Sequence, residues 1–173
     1  MPQKRFDEKD RRQVIEETEK ALGIKLNRIG KYRKYFKGND GKNYCILGGF
    51  GDWHGLQSEL LNPMDSTETD RILIVARVLR NSVELYSSSM KALITNKNKL
   101  TYAKQSTGSE YQFDLIYRHS DEAFIKQFPE YRLKKFHEFK YSRVVNELMS
   151  EISTMSKDEI RHLVDHLQKP SQG

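Results

Sequence analysis

The chain has 173 residues, 36% hydrophobic and 31% charged, with a formal net charge of +6. That composition fits one ordinary core and excludes a disulfide scaffold, because Cys45 is the single cysteine. It also excludes a membrane-spanning helix, since no apolar run approaches the ~18 residues a span needs, and the opening MPQKRFDEKDRRQ is too charged for a signal peptide.

In chain order, Asp7 caps a predicted helix running to about Leu22, with Val14, Ile15, Thr18, Ala21 and Leu22 on its apolar side and Gly23 placed to end it. Residues 31–37 and 42–47 read as two strands joined by the turn residues Gly38, Asn39, Asp40 and Gly41, a hairpin signal. The stretch from Gly48 to Gly55 is half glycine yet carries Trp53, the single tryptophan, and reads as a loop. Residues 71–79 (RILIVARVL) suit either a buried strand or a helix, and periodicity does not choose. Further strands are expected at 83–86, 100–104 and 110–118, with a short helix between Ser88 and Thr95. In 110–118, Tyr111, Phe113, Leu115 and Tyr117 alternate with Gln112, Asp114, Ile116 and Arg118. A helix from Ser142 to about Met155 carries Val144, Val145, Leu148, Ile152 and Met155 on one stripe. Ser156 and Glu159 have capping-box spacing for a second helix, stopped at Pro170. The expected fold is α+β, a twisted and mostly antiparallel sheet, open or barrel-like, packed by one N-terminal and two C-terminal helices. One domain spans 1–168, and 169–173 reads as a linker-like tail, so the chain is expected to join further domains or a partner nuclease or ATPase subunit.

Positive charge is concentrated beside aromatic rings. Residues 31–37 (KYRKYFK) hold four cations and no acid, and residues 131–143 (YRLKKFHEFKYSR) hold five cations and one acid, which leaves the remainder near neutral or slightly acidic. Counterion release at phosphates and stacking on ring faces give such segments affinity for nucleic acid. The alternative is a half-buried strand whose rings are core and whose cations are solvated. On the first reading Lys31, Arg33, Lys34, Lys37, Arg132, Lys134, Lys135, Lys140 and Arg143 contact phosphates. Asp52, Trp53 and His54 offer an acceptor, a stacking face and a group titrating near neutrality.

Other chemistries have weaker signals. Neither GxGxxG nor GxxxxGK[ST] is present, and no GxSxG or SxxK surrounds Ser87, Ser88 and Ser89. His162 and His166 share a helix face at i, i+4, but that face lies opposite the apolar stripe and no third ligand accompanies them. Asp114 on a predicted strand, followed 24 positions later by Glu138, Phe139 and Lys140, resembles the spacing of the PD-(D/E)xK nuclease family. The resemblance implies that Asp114 and Glu138 hold Mg²⁺ and Lys140 positions the attacking water, with Glu16 or Glu19 as a helper. The family's proline before the first acid is replaced by Phe113, and acid-x-Lys triplets recur at Asp7 to Lys9 and Asp40 to Lys42.

The leading expectation is therefore a cytoplasmic nucleic-acid-binding module, for DNA first and RNA second, serving to target a restriction-type or other DNA-processing enzyme and needing no cofactor. The alternatives are an Mg²⁺-dependent endonuclease and a protein-interaction module with a basic surface.

Overall fold

The computed structural model describes residues 5–141 and 149–168, and the chain divides into two compact units, 1–140 and 141–173. In the first unit, helix α1 (Glu8–Leu22) precedes strands β1 (Leu26–Arg28), β2 (Tyr35–Gly38), β3 (Asn43–Gly49) and β4 (Trp53–Gln57). A 3-10 turn at Ser58–Leu61 leads into β5 (Arg71–Val78) and β6 (Ser82–Ser89). Helix α2 (Lys91–Thr95) is followed by β7 (Thr101–Gln105), β8 (Gly108–Tyr117), β9 (Glu122–Ile125) and β10 (Phe128–Lys140).

The strands form one ten-stranded sheet in the order β1-β2-β3-β5-β6-β10-β9-β8-β4, with β7 also on β8. Among these pairs β3 and β5 run parallel and the others antiparallel. The fold is α+β, as the sequence implies. The sheet is rolled: Tyr35, Cys45 and Leu47 from one end of the order share a buried cluster with Leu56, Phe113 and Leu115 from the other. Inward-facing residues of opposite ends can meet only if the sheet curls into a barrel-like half-cylinder.

The ambiguous run at 71–79 is a strand because it is central. Leu73, Ile74, Val75 and Ala76 are all fully buried, so both faces of β5 are covered and no polar alternation survives in its sequence. The expected alternation of β8 holds, with Phe113 and Leu115 buried and Ile116 exposed. β10 and β9 carry no predicted element, and β4 replaces the second half of the expected loop. Charged residues hide the first two, and Gly55 within a glycine-rich stretch hides the third.

Asp7 caps α1, accepting hydrogen bonds from the Lys9 and Asp10 amides, while Asp10 accepts from the Asp7 amide at 2.8 Å. Gly23 ends the helix at φ 65°, in the left-handed region that favours glycine. The buried line of α1 is Asp10, Val14 and Thr18, a row at i, i+4, i+8. Ala21 and Leu22, expected on that face, are exposed. Thr18 donates to the Val14 carbonyl at 2.7 Å, which lets a hydroxyl sit in the buried row. Across the sheet, His137 of β10 lies 2.9 Å from the Glu17 carboxylate.

In the second unit, residues 149–154 are helical (α3) and α4 spans Lys157–Gln168. Ser156 and Glu159 form the expected reciprocal box: the Ser156 amide donates to Glu159 at 2.6 Å and the Glu159 amide to Ser156 at 3.2 Å. Val144, Val145, Leu148, Pro170 and the tail 169–173 lie outside the described residues. Among the described residues, no helix is long and apolar enough to cross a membrane.

Candidate nucleic-acid interface

β3 and β4 are joined by the short turn Phe50 to Asp52, yet they belong to different ladders: β3 pairs with β2 and β5, and β4 with β8. A seam is left where they face each other. Lys34, just before β2, bridges it by donating from Nζ to the Gly55 carbonyl of β4 at 3.0 Å. Beside this bridge is a cleft of about 120 Å³ lined by Arg11, Lys34, Leu47, Gly48, Trp53, His54 and Gly55. Two glycines beside the cleft make room for side chains from other segments. A Cβ at Gly48 would stand 2.6 Å from the Phe6 ring, and one at Gly55 would stand 2.9 Å from the Glu110 carboxylate. None of Gly48, Gly49, Gly51 and Gly55 has positive φ; close approach explains Gly48 and Gly55, whereas a Cβ at Gly49 or Gly51 would meet nothing within 4 Å.

Alternation along β4 separates its two functional rings. Trp53 faces outward opposite Asp114 of β8 and is 55% exposed; His54 faces inward opposite Phe113 and is 6% exposed. His54 Nε2 is buried without a hydrogen-bond partner. Burial first, then the Lys34 charge, pulls the imidazole down to about 4 against a weaker opposite pull from Asp114. The expectation of a group titrating near neutrality is corrected: His54 is a neutral imidazole at pH 7, because a charged ring would lose its water beside a lysine. Lys34 is itself shifted downward by burial and then by Arg11, against Glu110. The cleft therefore gathers two cations and a neutral imidazole around an indole face.

Outside the seam, the outer face of β8, β9 and β10 extends from Trp53. Asp114 is engaged by Gln127, whose Nε2 donates to its carboxylate at 3.0 Å while Oε1 accepts from the Asp114 amide at 3.0 Å. The Arg118 guanidinium lies 4.7 Å from the Phe124 ring centroid. Arg132 and Lys134 are exposed on β10, with Arg132 3.5 Å from Glu122. This face is mixed in charge.

The cations expected to act together occupy separate places. β2 and β10 are separated by β3, β5 and β6, so the two basic stretches do not merge through the sheet. Lys31 sits over the Tyr32 ring at 5.9 Å, Arg33 lies 4.0 Å from Glu8, and Lys37 is exposed on β2. Lys135 is internal to an ion cluster, 2.8 Å from Glu138, 3.6 Å from Glu84 and 3.7 Å from Asp121. Its hydrogen bond to Glu138 raises the lysine and lowers the acid, which fits a structural pair better than a phosphate contact. Lys140 is exposed at the end of β10, and Arg143 lies outside the described residues.

The nuclease constellation is not assembled. Asp114 points outward on β8, whereas Glu138 stands opposite Glu84 on the face of β6 that carries Tyr86 into the core. Through β9 the two registers also differ by about eight residues, roughly 25 Å along the strands. Lys140 follows Glu138 and is equally remote from Asp114. Among the described residues no group of three His, Cys, Asp or Glu side chains could hold a metal ion. His162 and His166 are both exposed on α4.

Sequence reasoning selected Lys34, Trp53 and His54 without knowing that they meet. It missed Arg11, which reads as part of a solvated ionic face of α1; Phe6 was the available hint, because its ring holds the Arg11 guanidinium at 5.7 Å beside the seam. Comparison of the chain with protein-family models, with curated proteins and with solved structures gives no match.

Proposed function

We propose that this protein binds a nucleic-acid strand at the β3–β4 seam, with the Trp53 indole stacking on an unpaired base and Arg11 and Lys34 meeting phosphate. The observation that carries the reading is the juxtaposition itself: a large aromatic face, 55% exposed, at the rim of a cleft that holds two cations. An indole left in water is unfavourable unless a partner covers it, and a base offers a flat apolar surface of the right size. Arg132 and Lys134 add long-range attraction on the adjoining outer face. The module would act as a targeting part of a larger DNA-processing or RNA-processing assembly. No bond-breaking step is assigned to it.

The test uses the tryptophan as its own probe, since the chain has one. Unlabelled single-stranded and duplex DNA and RNA are titrated while indole emission is followed, with fluorescence anisotropy of labelled strands in parallel across a salt series. Saturable quenching that tracks the anisotropy supports the proposal, with single strands preferred to duplex. Anisotropy without quenching moves the contact away from Trp53. No retention of any strand at ~0.1 M salt favours the protein-interaction reading, in which the basic surface meets an acidic partner.

A further inference from the structure

We infer that the cleft is a receptor for one terminal phosphate, a phosphate monoester at the end of a nucleic-acid strand whose last base stacks on Trp53. The inference rests on the nucleic-acid reading and names the part of the strand that the site selects. Size is the first argument. A cleft of about 120 Å³ has room for several waters and so for a PO₄ group.

Shape is the second. The inner wall is made by Leu47 and His54, which are 2% and 6% exposed, so the cleft ends against the core. A chain passing through must leave by a second opening, whereas a strand end needs one. Charge is the third. A monoester carries about −1.5 to −2 at pH 7, which two cations balance, while an internal diester carries only one charge. No acid lines the cleft; the acids nearest its charged groups are the exposed Glu8, 4.0 Å from the Arg11 guanidinium, and Glu110 and Asp114 of β8, which act on Lys34 and His54.

The donor set supplies the fourth argument. Lys34 uses one ammonium proton on the Gly55 carbonyl and keeps two. His54 is more than nine-tenths buried, lines the cleft, and has an unpartnered Nε2. A buried polar atom without a partner is rare enough in folded proteins to ask for a purpose. A proton taken up from solvent by the neutral imidazole as the dianion enters offsets part of the dianion's charge at the inner wall and gives the buried ring a second N–H. The indole stands next to His54 in the chain, at the mouth.

Four probes separate this inference from the broader one: oligonucleotides of one sequence with hydroxyl, 5′-phosphate or 3′-phosphate ends, and inorganic phosphate alone. Binding is read by anisotropy, and the His54 ring by NMR, assigned with His54→Gln. We expect one phosphorylated end to bind about tenfold or more tighter than the hydroxyl end. Inorganic phosphate should compete for that increment and move the His54 resonance. The increment should vanish in Lys34→Met and in Arg11→Gln, the latter on the helix surface and so independent of whether the former folds. Equal affinity for all three ends, with an unmoved imidazole, overturns the terminal-phosphate receptor; Trp53 quenching by those same strands would leave the nucleic-acid reading standing. Phosphate binding without binding of any strand overturns the strand-end assignment together with that reading.

Discussion

The buried imidazole of His54 makes acid destabilisation measurable at a single residue. In the folded chain its pKa is pulled down to about 4 from an ordinary value of 6.5, by burial and then by Lys34. Between those values the unfolded chain binds a proton that the folded chain refuses, so stability falls as pH drops through the window from about 6.5 towards 4. At pH 7 the effect is almost nil; at pH 5 it is about 2 kcal/mol, worked from the two pKa values. Replacing His54 by phenylalanine removes the proton-binding group and keeps a ring against Phe113. Urea unfolding of both proteins, followed by far-ultraviolet circular dichroism at pH 7 and pH 5, gives the comparison. Wild type should lose about 2 kcal/mol more than His54→Phe between the two, with other histidines and carboxylates cancelling in the difference. Phe113 packs against the ring and the charges of Lys34 and Asp114 act on its position in both proteins. Parallel losses, or an NMR titration of His54 centred near 6.5, would refute the assignment of a neutral buried imidazole.

Trp53→Ala should leave the urea midpoint nearly unchanged, because the side chain is half in water, and should weaken single-strand binding by roughly 1–3 kcal/mol, read by anisotropy. Lys134→Ala, exposed on β10, should weaken all sequences alike and flatten the salt dependence of log K by about one unit. Arg71→Met should cost about 3–5 kcal/mol in urea unfolding: Glu68, whose carboxylate oxygens lie 2.6 and 3.0 Å from the guanidinium, would be left buried and unpaired, and the Leu60 and Asn62 carbonyls would lose their donor. Cys45 is fully buried and its thiol is pushed up to about 12, chiefly by burial, so iodoacetamide at pH 8 should label it only in denaturant, as mass spectrometry would show.

What could be read from the residues follows from how local each signal is. Asp7 with Asp10, Gly23, and Ser156 with Glu159 are contacts between near neighbours, and each cap stands where its residues imply. The turn from Gly38 to Gly41 likewise joins β2 to β3. β5 was ambiguous for a non-local reason: burial on both faces erased its period. Trp53 and His54 were legible as unusual residues in a glycine-rich stretch, but their opposite orientations depend on pairing with β8, which lies some sixty residues downstream. The two basic stretches were legible as charge and not as a surface, because three strands stand between β2 and β10 and because Lys135 is claimed by three carboxylates. Net charge says nothing about which cations are already paired.

The seam is a consequence of strand order. A turn as short as Phe50 to Asp52 would ordinarily close a hairpin, but both edges of β3 are occupied, by β2 on one side and by the parallel β5 on the other. β4 therefore pairs with β8, at the far end of the rolled sheet, and returns beside β3 without a ladder between them. An unpaired strand edge exposes carbonyls that need donors, and here a lysine supplies one: the Lys34 ammonium meets Gly55. The donor here is a cation, carried to the edge by the long lysine stem. Satisfying the edge thus places positive charge in a concave site, where less water screens it from a ligand than at an exposed surface. The parallel pairing of β3 with β5 brings cation, imidazole and indole together, and a variant that let β4 pair directly with β3 would lose the site while keeping all of its residues.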